Sequence, residues 1–169
     1  MTNSTVALTL PAAKESSRAG EAQTARGPRV FCHAMEYVTN ARFEITDITA
    51  RIASTVRESG VRDGIVHIQT LHTTTALFLN ESQQALLHDF ETLARMLVDE
   101  NRSWRHNDPN YSDCDRGNAA AHLRSLLLGH SLTLQIQAGR LLLGQWQAVL
   151  FAELDGPRNR NLSVQMIGV

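Results

Sequence analysis

A group of polar side chains with the chemistry of an active site occurs between Leu71 and Glu81, in the sequence LHTTTALFLNE. His72 offers an imidazole, which binds metals and titrates near neutral pH. Thr73 begins a run of three threonines whose hydroxyls and backbone N–H groups could hold an anion. Alternation along the preceding segment GIVHIQT places His72 at the end of a strand, facing the same side as its apolar residues. The alternative interpretation is an ordinary hydrogen-bonded histidine at the boundary of the core.

A second histidine lies near the start of a predicted helix with the sequence NAAAHLRSLLLG. Asn118 is typical of a helix N-cap, and His122 follows four residues later on the same side of the helix. His122 and His72 are therefore a candidate pair of metal ligands or acid–base groups. Tight packing of the alanines and a carbonyl partner for the imidazole would explain the same pattern. His106 and Asp108, in the polar loop ENRSWRHNDPNYSDCDRG, are further candidates.

A charged turn, ELDGPRNR, follows a strongly apolar segment near the C-terminus. Its acids are Glu153 and Asp155, and its arginines, Arg158 and Arg160, carry forked guanidinium groups that suit phosphate. Ion pairs within the turn are the alternative interpretation. Trp146 lies upstream between two glutamines, where an isolated indole either packs in the core, the commoner case, or stacks on a flat ligand ring.

The strand pattern indicates the sheet that would position these groups. Alternating or β-branched segments are RVFCHAMEYV, RFEIT and GIVHIQT, and ALFLN is expected to continue the sheet of GIVHIQT after a kink. The C-terminal third alternates through three or four more strands, with turns at Ala138-Gly139 and at Asp155-Gly156-Pro157. Strands mixed with helices, without regular strand–helix alternation, predict an α+β fold with helices packed on one side of a mixed or antiparallel sheet.

Two helices are predicted before the polar loop. Asp47 is a suitable N-cap for the amphipathic segment ITARIASTVRESG, and Gly60 suits its left-handed end. A longer helix is predicted from Gln83 to about Val98, with Ser82 as its cap and an apolar stripe along one face.

Composition limits the classes of function. The 169 residues are 43% hydrophobic and 20% charged with a formal net charge of -1, which fits a globular domain and excludes a general attraction to nucleic acid or to a membrane. Cys32 and Cys114 form no zinc or disulfide pattern, so a reducing cytoplasm is the expected location. The first segment, residues 1–28, is predicted to be a mobile tail because it has no apolar stripe. The folded domain is predicted over residues 29–169.

Five motifs together resemble the YjbQ-like family of secondary thiamine-phosphate synthase enzymes. They are, in order, HTTTALFLNE, RHND, NAAAHLRSLLLG, GRLLLGQWQAVLFAELDGPRNR and VQMIG. The resemblance covers about Arg29 to Val169 and implies a YjbQ-like α+β sheet domain that assembles as a homotrimer. It also implies an enzyme that joins hydroxymethylpyrimidine pyrophosphate to thiazole phosphate and releases pyrophosphate.

The motif positions imply roles for individual residues. His72, Glu81 and His122 are the expected catalytic residues and the expected ligands of a divalent ion, which would be zinc, manganese or magnesium. The expected substrate-binding residues at the motif positions are Asn80, Asn118, Trp146, Gln147, Asp155 and Arg158. Thr73, from the threonine run, is added to this set. The chain departs from the family pattern at Arg116, where many members carry an acid, and at Gln145, where they carry threonine.

A mechanism follows as a hypothesis. Arg158, the helix N-terminus at Asn118 and a divalent cation would neutralise the departing pyrophosphate, while Trp146 stacks on the pyrimidine. Two other functions fit the same residues. One is metal-dependent hydrolysis of a phosphate ester by a bound water, and the other is a non-enzymatic module that binds a small phosphorylated metabolite or serves as a trimeric scaffold.

Overall fold

The computed structural model of the chain describes residues 27–169, and within that range eight strands form two antiparallel sheets with three α-helices. The strands are β1 (Arg29–Val38), β2 (Glu44–Asp47), β3 (Gly64–Thr70), β4 (Thr75–Asn80), β5 (Ser131–Gln137), β6 (Arg140–Leu141), β7 (Ala148–Glu153) and β8 (Asn159–Gly168). The helices are α1 (Thr49–Ser59), α2 (Gln84–Leu97) and α3 (Ala119–Leu128), with a short 3-10 helix (Arg105–Asn107) between α2 and α3. The α+β class is confirmed. The predicted tail, residues 1–28, lies almost entirely outside the described residues.

The strands divide between a larger sheet, in the order β1-β8-β3-β5-β6, and a smaller sheet, in the order β2-β7-β4. The prediction that ALFLN continues the sheet of GIVHIQT is wrong. Because β3 already has β8 and β5 as neighbours, it offers no free edge, and the chain turns after Thr70 so that β4 pairs with β7 in the other sheet. The turn at residues 71–74, which carries His72, therefore bridges the two sheets.

The larger of two apolar clusters joins the two sheets and α1. Its buried members include Val66, Ile68, Leu162 and Val164 from the larger sheet, Leu77, Val149 and Phe151 from the smaller sheet, and Ile52 and Val56 from α1. Burial of each such side chain contributes roughly 1.5–3 kcal/mol relative to exposure, so the alternation in β3 and β8 determines which face turns inward. β7 is buried at every position, which explains its continuous apolar run.

Helices α2 and α3 cover the opposite face of the smaller sheet. The rings of Phe78 on β4 and Phe90 on α2 meet edge to face with centroids 5.7 Å apart. Ala121 on α3 packs with Ala76 and Ala152, where the small side chains permit the close approach that the alanine run suggested. Within residues 27–169, none of the helices is long and apolar enough to cross a membrane.

The helix ends are capped close to the predicted positions. The carboxylate of Asp47 accepts a hydrogen bond from the backbone N–H of Thr49 at 2.8 Å, and Gly60 has a positive φ of 72° at the end of α1. At the start of α2 the capping side chain is that of Gln83 and not, as predicted, that of Ser82.

The pairing of β3 with β8 at Gly64, opposite Gly168, generates a stability prediction. A Cβ atom at Gly64 would overlap the carbonyl oxygen of Ile167 and would lie 2.7 Å from the Cα of Gly168, both of which are backbone atoms. Gly64→Ala should therefore lower the free energy of unfolding by about 1–3 kcal/mol, measured by urea denaturation. Gly27→Ala is the matched control, because nothing lies within 4 Å of the added atom. Equal stability of the two variants would contradict the close packing of these strands.

Candidate functional site

The carboxylate of Asp155 is the centre of a polar group just beyond the end of β7. It is buried, and its Oδ2 accepts hydrogen bonds from Asn118 Nδ2 at 2.8 Å and from Arg158 Nη2 at 2.9 Å. Arg116 Nε lies 3.4 Å from the same oxygen. We call Arg116, Asn118, His122, Asp155 and Arg158 the Asp155 cluster. Its two guanidinium groups and single carboxylate leave one positive charge in excess at neutral pH.

Asn118 reaches Asp155 instead of capping α3. It occupies the N-cap position, as predicted, but its side chain makes no capping hydrogen bond. The side-chain oxygen of Asn107, from the polar loop, accepts from the backbone N–H of Ala119 at 2.9 Å instead. The predicted capping role of the Asn118 side chain is therefore wrong: its Nδ2 donates to the buried carboxylate, and its Oδ1, the atom that would cap the helix, accepts from the Cys114 thiol at 3.7 Å.

His122 is the imidazole of the Asp155 cluster. Its ring meets that of His106 edge to face, with centroids 5.0 Å apart. Burial lowers the pKa of His122 below its ordinary value of 6.5, and His106 lowers it further, whereas Asp155 and a hydrogen bond with the Thr73 backbone act in the opposite direction. His122 is therefore neutral at pH 7 and is available for hydrogen bonding or proton transfer.

His72, in the turn at residues 71–74, is held by the backbone of β8. Its Nε2 accepts a hydrogen bond from the backbone N–H of Asn161 at 2.9 Å, so the neutral ring carries its proton on Nδ1. Burial lowers the pKa of His72, Arg160 lowers it further, and Glu153 opposes the shift. The hydrogen bond from Asn161 occupies the lone pair through which Nε2 would bind a metal.

A buried ion pair lies behind the Asp155 cluster. Arg160 Nε donates to Glu153 Oε2 at 2.6 Å and Arg160 Nη2 donates to Oε1 at 2.5 Å, with both residues almost inaccessible to solvent. Glu153 Oε1 also accepts from the backbone N–H of Asp155 at 2.8 Å, and Arg160 Nη2 also contacts Thr74 Oγ1 at 3.1 Å. The pair therefore holds both the turn at Asp155 and the turn at residues 71–74, which carries His72.

Sequence reasoning missed two residues that support this region. Thr39 Oγ1 donates to Glu153 Oε2 at 3.0 Å and also accepts from the backbone N–H of Arg158 at 2.8 Å. Asn107 caps α3. A threonine after a strand and an asparagine in a loop carry no distinctive signal. The signal that was present is Glu153 itself, since a carboxylate that ends an otherwise apolar, buried strand requires a partner.

Four predicted site residues lie at the other end of β7. They are Asn80, Glu81, Trp146 and Gln147. In the smaller sheet Thr75 pairs with Glu153 and Asn80 pairs with Ala148, so the two ends are five residues apart, or about 17 Å at the usual rise of a strand. Within one chain these four residues do not reach the Asp155 cluster.

Trp146 and Gln147 have local environments that differ from their predicted roles. The indole of Trp146 is 66% exposed, so it is not a core residue, and no ring of the cluster lies beside it. The side-chain oxygen of Gln147 accepts from the backbone N–H of Gly144 at 2.8 Å and closes the turn before β7.

The expected metal ligands are also separated. Within residues 27–169 of one chain, no three His, Cys, Asp or Glu side chains converge as a metal-binding group. Glu81 lies at the far end of β4 from the turn that carries His72. The set His72, Glu81 and His122 is therefore not assembled by a single chain.

Comparisons with known proteins agree with this architecture. A family model described as UPF0047 protein YjbQ-like matches residues 33–169. The chain belongs to this family. The UPF0047 protein of Methanothermobacter thermautotrophicus is 38% identical over 139 residues, which is 82% of this chain and 93% of that protein. The UPF0047 protein of Archaeoglobus fulgidus is 40% identical over 129 residues, covering 76% of this chain and 95% of the relative.

Solved structures show the YjbQ-like fold directly. The crystal structure of a YbjQ-like protein of unknown function from Sulfolobus solfataricus P2 has a TM-score of 0.78 and 33% sequence identity, covering 84% of this chain and 99% of that one. A hypothetical protein from Aeropyrum pernix K1 has a TM-score of 0.75 and 30% identity, with 82% and 99% covered. The YjbQ-like recognition made from the motifs is thus confirmed, together with its fold.

The environment of His72 generates a prediction on pH dependence. Its folded-state pKa lies below the unfolded value of 6.5, so the unfolded chain binds the proton more readily. Stability from this group is present above pH 6.5 and is lost as the pH falls through the lowered pKa. His72→Gln, which keeps an acceptor for Asn161, should weaken the fall of the thermal midpoint between about pH 8 and pH 5.

The exposed His88 on α2 provides the control for this experiment. His88→Gln should retain the pH dependence of the unmodified chain. A residual slope is expected in His72→Gln because the pKa of His122 is lowered as well. Superimposable curves for His72→Gln and the unmodified chain would contradict the lowered pKa of His72.

Proposed function

We propose that the Asp155 cluster binds the phosphate or pyrophosphate group of a small metabolite and that the chain is a transferase of the thiamine-phosphate synthase type. The observation that carries the proposal is the excess of guanidinium over carboxylate at a site that also holds a neutral imidazole. Such a site favours an anion and offers a hydrogen-bonding or proton-transferring group beside it. The resemblance of the motifs supports the choice of substrates.

Arg158 is the expected anchor for the anion. One of its terminal nitrogens donates to Asp155, and its Nε is buried with no hydrogen-bond partner among residues 27–169. An unpaired buried donor is unfavourable by about 1–3 kcal/mol, which a phosphate oxygen or an ordered water would relieve. The side chain is 31% exposed, so a ligand can reach it. Arg116, at 50% exposure, can turn toward the same anion.

The proposed reaction requires charge stabilisation more than proton transfer. The ring nitrogen of the thiazole phosphate attacks the methylene carbon of the pyrimidine, a C–N bond forms, and the C–O bond breaks with its electron pair leaving on pyrophosphate. Arg158 and Arg116 neutralise the charge that develops on the departing oxygen. His122 contributes a neutral hydrogen-bond donor at that oxygen, because its pKa is lowered.

A zinc, manganese or magnesium ion stays a prediction. The expected ligands do not converge within the described part of one chain, so the steps above use only groups of the Asp155 cluster. Elemental analysis of the purified protein, before and after dialysis against a chelator, tests whether a metal is bound.

Phosphate ester hydrolysis is the second candidate. The packing of His106 against His122 favours it. His122 is neutral and lies near the carboxylate of Asp155, so its imidazole can accept a proton from water. The nucleophile would then be water, and no second substrate would be needed.

A pyrophosphate-release assay tests the transferase proposal. Release from hydroxymethylpyrimidine pyrophosphate should require thiazole phosphate, and Arg158→Gln should reduce the rate by about ten- to a hundredfold, as expected for loss of a charged hydrogen bond. Arg140→Gln is the matched control, since Arg140 is exposed on β6 in the other sheet. Thermal midpoints of both variants establish that each one folds.

Each result distinguishes one function. Release without thiazole phosphate would support hydrolysis and oppose transfer. Tight binding of pyrophosphate with no turnover would support a binding module. Undetectable binding of pyrophosphate by the folded protein would contradict the role assigned to Arg158 and to the whole cluster.

We also propose that the chain acts as a homotrimer with its sites near subunit boundaries. Large apolar side chains on the outer faces of α2 and α3 support a subunit contact: Leu93, Met96, Leu97, Leu126 and Leu127 are each at least 51% exposed. Contiguous apolar surface of a few hundred Å² is typical of an interaction site. A neighbouring copy would also allow Asn80 and Glu81 to approach an Asp155 cluster that they do not reach within their own chain.

Mixed oligomers test this arrangement. In this arrangement Glu81 of one copy completes the Asp155 cluster of its neighbour, so Glu81→Gln and Arg158→Gln should each retain at most about a tenth of the original activity alone. Co-expression in equal amounts should restore about a quarter of the original activity, since a site between two neighbours is intact only when each contributes its unmodified half. Activity no greater than the mean of the two single variants would contradict a shared site. Light scattering of the unmodified protein gives the number of chains.

A further inference from the structure

The polar loop between α2 and α3 contains a concave surface that none of the assigned roles uses. Its volume is about 500 Å³, within the range of small-ligand sites. The lining includes Arg102, Trp104, Arg105, Asn107 and Tyr111. We call this surface the aromatic loop site. We propose that it binds the heteroaromatic ring of the phosphorylated substrate whose anionic end lies on the Asp155 cluster, an inference that rests on the function proposed above.

Two arginine–aromatic pairs give the aromatic loop site its chemistry. The guanidinium of Arg102 lies 5.2 Å from the ring centroid of Trp104, and that of Arg105 lies 5.2 Å from the ring centroid of Tyr111. A guanidinium on one face leaves the opposite face for a flat aromatic ring. Tyr111 is 67% exposed, so the ring face away from Arg105 is open to a ligand.

The loop is held in shape before any ligand binds. The indole N–H of Trp104 donates to the carbonyl oxygen of Asp99 at 2.8 Å, so the indole can offer a ligand only its ring surface. The backbone N–H of Tyr111 donates to the carbonyl oxygen of Asp108 at 2.9 Å. Ordering these rings in advance reduces the entropy lost when a ligand binds.

The charge of the aromatic loop site favours an anionic ligand. Among residues 27–169, Arg102 and Arg105 form no ion pair. The carboxylate that lines the concavity, Asp108, already accepts hydrogen bonds from the backbone and side chain of Asn110 at 2.9 Å. Two arginines and one acid leave a positive excess, which suits a phosphorylated ring better than a neutral one.

The aromatic loop site adjoins the Asp155 cluster through two residues of the same loop. Asn107 lines the concavity and also caps the first residue of α3, directly after Asn118. The neighbouring His106 packs against His122 of the cluster. A single ligand with a ring and a phosphate group can therefore contact both sites, whereas Trp146 lies at the opposite end of β7.

The two tryptophans of the chain allow a direct test. Trp146→Phe leaves Trp104 as the single fluorophore, and Trp104→Phe leaves Trp146. Thiamine phosphate should quench the emission of Trp104 in the first variant and should leave the emission of Trp146 unchanged in the second. Pyrophosphate, which has no ring, should bind both variants with little change in emission. In the Trp146→Phe background, Tyr111→Ala should weaken the binding of thiamine phosphate by about tenfold, whereas Tyr111→Phe should leave its affinity unchanged.

The outcomes separate this inference from the proposed function. Binding of pyrophosphate with no response of Trp104 to thiamine phosphate would overturn the aromatic loop site alone. A response of Trp146 would also overturn it and would assign the ring to the other end of β7. If the folded protein bound neither thiamine phosphate nor pyrophosphate, both the proposed function and the aromatic loop site would be overturned. The aromatic loop site would be supported if Tyr111→Ala lost affinity for thiamine phosphate but kept its affinity for pyrophosphate within about twofold of the parent variant.

Discussion

The buried ion pair between Glu153 and Arg160 joins the parts of the chain that surround the candidate site. Its carboxylate comes from the last residue of β7 and its guanidinium from β8, so it links the two sheets directly. A buried charge that loses its partner is unfavourable by about 3–5 kcal/mol, and this geometry is therefore strongly maintained once the sheets have packed. Further hydrogen bonds from the pair hold the Asp155 backbone and the Thr74 hydroxyl.

The histidines depend on the same framework in different ways. His72 receives the backbone N–H of Asn161, the residue after Arg160, so its tautomer is determined by β8. His122 is carried by α3, whose first residues are held by Asn107 from the polar loop. Both imidazoles lose solvent and both have lowered pKa values, but only His122 belongs to the charged cluster. The polar loop is thus a structural part of the site as well as the proposed ligand surface.

Arg116 departs from the pattern that the motif resemblance implies, and this changes the charge of the site. The resemblance implies an acid at this position, which would place a second negative charge near Asp155. In this chain the guanidinium of Arg116 lies 3.4 Å from that carboxylate and adds to the positive charge contributed by Arg158. The electrostatic character of the cluster therefore depends on a loop residue outside the regular elements.

Much of the fold followed from local patterns in the sequence. Alternation predicted β1, β3 and the C-terminal strands, and the Ala138-Gly139 turn was recovered with positive φ at both residues. The motifs were sufficient to recognise the YjbQ-like family. The prediction that β4 continues the sheet of β3 was wrong. Which sheet a strand joins depends on which strand edges are free, and a local sequence pattern does not contain that information.

The candidate site shows the same division between local and long-range information. The residue types and their order along the chain, from the sequence alone, determined the family, the helix and strand identities, and the candidates His72, His122, Asp155 and Arg158. Only the tertiary structure decided that Asp155 gathers Asn118 and the arginines, while Glu81 and Trp146 lie at the opposite end of β7. The physical reason is that strand pairing converts separation along the chain into distance in space, so residues within one motif can lie about 17 Å apart.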